Sequence, residues 1–396
     1  MSVLNDYCLS IADGDHQAPP KSHDGIPFIT ISCMNPDGGQ LDFSSAANVP
    51  EEYYDSLPGY RKAREGDVLL SVVGSLGIPY LVKSDDRFVF QRHIAILRPG
   101  KNILPEYLYY LLKSPDVFHY IDSVAQGAAQ RTLTLTQLRS MEVSVPPIEE
   151  QRCIVEKLKP YDDLIENNRR QIKLLEEAAR RLYKEWFVDL KFPGHESTPI
   201  VNGLPEGWKS THLSNLVTFL NGYAFKSNQF VEDGKFKIAT IKNVQDGYFE
   251  PNPASSIREI PTNMPAHCVL AKGDILLSLT GNIGRICMVT NDNFLLNQRV
   301  AKLVSRYRCY TYCLFKDSVF SAELKNLANG AAQKNLSPNK AGLLNITKPS
   351  DKLLSAFESL SLPYFSQINY LYFQITVARE ARDRLLPKLM SGEIEV

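Results

Sequence analysis

The chain has 396 residues, 44% hydrophobic and 22% charged, with 44 basic side chains balancing 44 acidic ones; this supports a buried core and excludes a disordered polyelectrolyte. At roughly 100 to 200 residues per domain the length predicts two domains or one domain duplicated, and zero net charge excludes a uniformly basic nucleic-acid coat. No apolar run approaches the ~20 residues of a membrane span and no leader pattern opens the chain, so a cytoplasmic protein with no membrane contact is expected. Charge is unevenly divided: residues 1–147 carry 12 basic and 17 acidic groups (12 − 17 = −5), and residues 196–350 carry 17 and 11 (17 − 11 = +6). Any DNA-facing surface in the first half must therefore gather its few cations locally.

In chain order, GIPFITIS from Gly25 predicts an apolar strand. The run 67–73 is dense in Val and Leu and too short for a comfortable helix, so it predicts a buried strand. Gly74 and Gly77 then mark tight turns. Gln91-Arg92 follows, and QGAAQRTLT occupies 126–134. Beyond it, Ile154, Leu158, Tyr161, Ile165, Asn168, Ile172, Leu175, Ala179, Leu182 and Trp186 recur at alternating four- and three-residue steps, the a/d pattern of a coiled-coil seam. Pro160 is welcome only in a first turn, which predicts that the long helix starts there. From 160 to 186, at ~1.5 Å per residue, the rod would be about 40 Å long, or about 12 base pairs of duplex. Asn168 either fixes the register of the seam or lies at its edge; Trp186 is expected in the core.

The second half repeats the first. GKFKIATI from Gly234 resembles the early strand. GDILLSLTGNIGRI from Gly273 matches GDVLLSVVGSLGIP from Gly66 at a shift of 273 − 66 = 207 residues, and the same shift carries Gln91-Arg92 onto Gln298-Arg299. NGAAQKNLS at 329–337 matches at 330 − 127 = 203, as does Pro363-Tyr364 against Pro160-Tyr161. A second seam runs through Phe357, Ser361, Tyr364, Ile368, Leu371, Ile375, Ala378, Arg382, Leu385 and Leu389. Three blocks in one order mean two copies of one unit. The expected fold is α+β, with two tandem repeated α/β lobes separated by two long helices that pack on each other. Expected boundaries are 1–147 and 196–350 for the lobes, 148–195 and 351–396 for the helical regions. The coiled-coil core is expected at Ile165, Asn168, Ile172, Leu175, Ile368, Leu371 and Ile375.

The chemistry of an enzyme is missing. There is no GxxxxGK[ST], HExxH, GxSxG or GxGxxG motif, nor a base-flipping Asn-Pro-Pro-aromatic sequence, so no catalytic residue is expected. The seven cysteines contain no CxxC pair. Cys309 and Cys313 lack the further ligands a zinc site needs, so no metal is expected either.

Loops carrying Arg, Gln, Asn and Thr are the candidates for DNA contact, because Arg bridges guanine acceptors and Gln or Asn pairs with adenine. They are Gln91, Arg92, Gln130, Arg131 and Thr132 in the first copy, and Asn282, Arg285, Gln298, Arg299, Gln333, Lys334 and Asn335 in the second. Residues common to both copies suit phosphate or structural roles better than base reading, since groups identical in both copies carry no difference in sequence preference. Arg131 against Lys334 and Thr132 against Asn335 differ, and are the better readers.

The segment VPPIEEQRCIVEKLKPYDDLIENNRRQIKLLEEAARRLYKEWFVDLKFPG at 145–194, LPEGW at 204–208 and LLPKLMSGEIE at 385–395 resemble the conserved regions of type I restriction specificity subunits. With the duplicated blocks, the resemblance spans essentially the whole chain. The first copy departs from it by lacking an LPEGW entry. The resemblance implies two target recognition domains reading a split double-stranded DNA site, with the two long helices forming an antiparallel coiled coil. It also implies methyltransferase subunits that bind S-adenosylmethionine and restriction (motor) subunits that use ATP and Mg, with no cofactor on this chain. A coiled-coil adaptor that binds only proteins, or a DNA-modifying enzyme with a disguised active site, are the competing readings.

Overall fold

A computed structural model describes residues 2–14, 16, 18–34, 39, 41–43, 46–127, 131–252, 255–328 and 335–395. The chain divides into two compact units, one made of Met1–Glu166 with Val377–Val396, the other of Asn167–Thr376. Each unit holds one α+β lobe and a stretch of each of two long helices, Ile148–Tyr183 and Asp351–Met390.

In the first lobe a four-stranded antiparallel sheet has the order Cys8–Asp13, Ile94–Pro99, Val68–Ser71, Pro79–Leu81. Val68–Ser71 is buried along its whole length because the sheet is covered on both faces. Val68 and Leu70 point into one apolar cluster, with Ala95, Leu97 and Tyr107. Leu69 points into another, with Ile94, Ile96 and Phe90. Successive side chains alternate faces, so a strand packed on both sides reads as a continuous apolar run. Truncating Leu69 to Ala would cost about 2–5 kcal/mol. A three-stranded sheet, Ala47–Val49, Ile26–Ile29, Val89–Phe90, lies beside it and contains a parallel pair, Phe28 opposite Val89.

The second lobe repeats this plan strand for strand. Its four-stranded sheet is Thr218–Asn221, Val300–Val304, Ile275–Ser278, Ile286–Met288. Its three-stranded sheet is Ser256–Ile257, Phe236–Ala239, Phe294–Leu296, again with a parallel pair, Ile238 opposite Leu295. A two-stranded antiparallel pair in each lobe differs in length: Ser2–Val3 pairs with Glu142–Val143, whereas Lys209–His212 pairs with Asn345–Lys348.

Backbone pairing corrects the alignment of the two copies at one place. Ser71 lies opposite Ile94 and Ser278 opposite Val300, so the shift is 278 − 71 = 207 on one strand but 300 − 94 = 206 on its neighbour. The turns agree: Gln91 N–H donates to Ile29 O at 3.1 Å, and Asn297 N–H donates to Ala239 O at 3.1 Å. Gln91 is thus the counterpart of Asn297, Arg92 of Gln298, and His93 of Arg299. The identical Gln-Arg dipeptides are one residue out of register. Strand hydrogen bonds set the equivalence, and a loop one residue longer after Val82 than after Val289 absorbs the slip.

The long helices do not begin at their prolines. They start at Ile148 and Asp351, and Pro160 lies inside the first. An interior proline costs about 3 kcal/mol, but the turns before Pro160 deliver Ile154, Val155 and Leu158 to the cluster with Tyr107, Leu108, Leu386 and Leu389. At about 1.5–3 kcal/mol per buried aliphatic side chain, that burial outweighs the lost bond. Gln151, fully buried, adds hydrogen bonds to Leu104 N, Asn102 O and Pro146 O at 2.8, 3.0 and 2.8 Å. Leu353, Leu354 and Phe357 play the same part before Pro363. At 36 and 40 residues the helices are about 54 and 60 Å long, not 40 Å.

The two helices pair antiparallel in each unit. Within the first, Ile154 and Leu158 share a cluster with Leu386 and Leu389, and Asp162 meets Arg382. Within the second, Asn168 Nδ2 donates to Gln374 Oε1 at 3.1 Å and Tyr183 packs on Phe357. Ile165, Ile172, Ile368, Leu371 and Ile375 are buried. Asn168, 2% exposed, lies within the seam, and Leu175 is half-buried. Trp186 is buried among Phe187 and Phe357.

Candidate nucleic-acid interface

Three loops converge at one edge of each lobe. In the first, Val72 N–H donates to His93 O at 2.9 Å, Leu133 N–H to Val72 O at 2.8 Å, and Gly74 N–H to Arg131 O at 2.9 Å. In the second, Leu279 N–H donates to Arg299 O at 3.0 Å and Leu336 N–H to Leu279 O at 2.8 Å, with Thr280 bridged to Asn335. The strand end, the turn 91–93 or 297–299, and the loop reaching Thr132 or Asn335 are therefore tied together by main chain alone. The glycine turns are closed by their own serines. Ser71 Oγ accepts from Ile78 N–H at 2.8 Å and Ser278 Oγ from Arg285 N–H at 3.0 Å. Gly74, Gly77, Gly281 and Gly284 have φ of 76, 77, 69 and 83°, where a β-carbon is disfavoured.

Two further glycines escaped the sequence reading. A β-carbon on Gly14 would lie 2.1 Å from Phe90 O, and one on Gly222 would lie 2.1 Å from Asn297 O. Each holds the neighbouring turn against the first strand of its sheet. The available signal was a glycine closing that strand in both copies, IADG and FLNG.

The candidate side chains separate by what they already hold. Arg131 is spent on Asp122, with Nη1 at 2.5 Å from the carboxylate, and Arg285 donates to Gln245. Asn282, with its amide oxygen turned toward that guanidinium, accepts from Arg285 at 3.1 Å. Thr132 exchanges both main-chain hydrogen bonds with Gln126, at 2.8 and 3.1 Å. By contrast, Arg92 and Arg299 are exposed and have no hydrogen-bond or ion-pair partner for their guanidinium groups among the described residues. Gln298 and Asn335 are also exposed, and Gln91 is half-buried. Gln130, Gln333 and Lys334 lie outside the described residues.

In the first lobe the turn 91–93 walls a cleft of about 340 Å³ shared with His16, Lys21, Phe28 and Asn48. Partial burial and the adjacent Arg92 hold the His93 imidazole below its ordinary pKa of 6.5. At neutral pH it is a neutral donor and acceptor; Lys21 and Arg92 also line the cleft, and His16 sits 2.8 Å from the Asp13 carboxylate. Cys309 and Cys313 are both buried, and no group of three or more His, Cys, Asp or Glu gathers as a metal site among the described residues. No helix among them is long and apolar enough to cross a membrane.

The family model described as type I restriction modification DNA specificity domain matches residues 16–177 and 205–351. The chain is similar to the type I restriction enzyme MjaIX specificity subunit of Methanocaldococcus jannaschii, 25% identical over 84% of this chain and 78% of that one. It is also similar to the HindI specificity subunit of Haemophilus influenzae, 23% identical over 85% and 89%. The type I restriction-modification S subunit of M. genitalium shares the fold, with a TM-score of 0.55 at 17% identity over 98% of this chain and 94% of that one. With two matched blocks that repeat as the lobes repeat, the chain belongs to the type I restriction modification DNA specificity family, whose members are non-catalytic subunits that recognise DNA sequence.

Proposed function

We propose that the chain reads a bipartite double-stranded DNA site, one half with each lobe, as the cytoplasmic scaffold of a larger assembly. Residues 1–147 and 196–350 act as the two target recognition domains, while the helical regions 148–195 and 351–396 hold them and dock the partners. Those partners are methyltransferase subunits, which would carry S-adenosylmethionine, and restriction (motor) subunits, which would carry ATP and Mg. The observation that supports this reading is that both lobes hold the same three loops by the same hydrogen bonds yet place different side chains on them. A duplicated reader with identical loops would read one sequence twice, whereas different loops on one frame read two.

The test is to co-express the chain with its methyltransferase partner and map methylated adenines across the host genome. A motif split into two specified halves by an unspecified spacer is expected. A contiguous motif, or methylation without sequence preference, overturns the proposal. Inserting one helical turn after Arg169 is expected to lengthen the spacer; an unchanged spacer shows that the helices are not its ruler.

A further inference from the structure

We infer that the turns 91–93 and 297–299 determine specificity, each reading base edges in its own half-site, with Arg92 and Gln298 as equivalent readers. This inference rests on the bipartite reading proposed above. At the position where the first lobe has Arg92, the second has Gln298, and where the first has His93, the second has Arg299. Between the two lobes of this chain, these positions differ while the main-chain hydrogen bonds around them stay the same.

Three independent features support the assignment. The turns are fixed at both ends: Ile94 N–H donates to Gln91 O at 3.0 Å and Val300 N–H to Asn297 O at 2.9 Å, and Gly14 and Gly222 press on them without room for a side chain. Among the described residues the side chains of Arg92, Gln298 and Arg299 have no hydrogen-bond or ion-pair partner, whereas Arg131 and Arg285 already hold intramolecular partners. In the first lobe the turn also opens onto a cleft that carries a second cation, Lys21. A fixed main chain with free, exposed donors is what base readout needs, because a guanidinium or amide must meet two acceptors or an acceptor and a donor in one plane.

The chemistry distinguishes base from phosphate. A phosphate contact asks only for a cation at a given place. Yet the cation moves from 92 in one lobe to the counterpart of 93 in the other, and a neutral amide takes the vacated position. Arg92 presents donors suited to guanine O6 and N7, and Gln298 presents the donor-acceptor pair suited to adenine N6 and N7.

The experiment introduces Arg92→Gln and, separately, Gln298→Arg into the full chain purified with its methyltransferase partner, and reads both methylated motifs. Arg92→Gln is expected to shift one base pair of one half-site from guanine toward adenine by about tenfold to a hundredfold in preference, with the other half unchanged. Gln298→Arg should do the converse in the other half. A uniform fall in methylation at all sites, or two unchanged motifs, overturns the inference. If the wild-type complex yields no split motif, the bipartite reading itself fails; a split wild-type motif with unaltered variants defeats only the assignment of these turns.

Discussion

The two units share their sheets but not their means of gripping the helices. In the first, Asp162 receives Tyr110 Oη at 2.7 Å and the guanidinium of Arg382, which also pairs with Asp383 at 2.7 Å. Burial opposes the charge on Arg382, but Asp162 and Asp383 more than restore it, and its pKa is raised. In the second unit the same duty falls to rings: Phe187 meets Tyr310 at 4.8 Å and Phe357 at 5.0 Å, and Tyr312 meets Phe365 at 5.3 Å. Glu358 caps the neighbouring helix, accepting from Cys309 N–H at 3.0 Å. The difference shows which parts of the repeat are constrained. Sheets and loops are tied by main-chain bonds that any side chain permits, whereas a helix junction needs only filled, satisfied contacts, and ions or rings both provide them.

The comparison can be broken most sharply at the ionic junction. Arg382→Ala leaves Asp162 partly buried beside a lost partner and should destabilise the first unit by about 3–5 kcal/mol, read by denaturant unfolding. Combining Asp162→Asn with Arg382→Met should recover most of that loss. A double variant no better than the single one would show that the ion pair is not what holds the junction. At the proposed reading edge, Gly222→Ala forces a β-carbon against Asn297 O and should cost about 3 kcal/mol, while blurring only the half-site assigned to the second lobe. An unchanged motif would show that this glycine does not position the turn.

A smaller effect sits in the second unit. Burial pushes the Glu176 carboxyl up from 4.5 to about 6, with Lys316 opposing, and its Oε1 is buried without a hydrogen-bond partner among the described residues. Because the folded-state value lies above the unfolded one, the stability it contributes is complete below pH 4.5 and is lost as pH rises through about 6. Ionisation at pH 7.5 then costs about 2 kcal/mol. Glu176→Gln should raise the unfolding midpoint at pH 7.5 and leave it unchanged near pH 4.5. A pH-independent difference would assign the effect to packing. Smallest of all, Asn335→Ala should weaken discrimination at one base pair by about 1 kcal/mol, seen as a relaxed position in the methylated motif. An equal loss at every site would move Asn335 to the DNA backbone.

The antiparallel direction of the seam came from the family resemblance, whereas the duplication, the buried strands around Leu69 and Leu276, the glycine turns and the helical seam were all legible in the sequence. Each is a local or periodic property: residues with a shared spacing share a face, and repeated blocks keep their order. Of the site, the loops were legible but the state of their side chains was not. Nothing in the sequence near Arg131 and Arg285 says that Asp122 and Gln245 fold back onto them, because those contacts depend on how elements pack.

What the amino-acid sequence determined by itself is that this protein is one α+β unit present in two copies and joined to two long amphipathic stems, since composition, repetition and periodicity follow from neighbouring residues. Tertiary structure alone decided that the helices run through Pro160 and Pro363, because burial of Leu158 and Phe357 outweighs the missing hydrogen bond. It also decided that Arg92 corresponds to Gln298, because strands distant in sequence set register through main-chain hydrogen bonds that ignore side-chain identity.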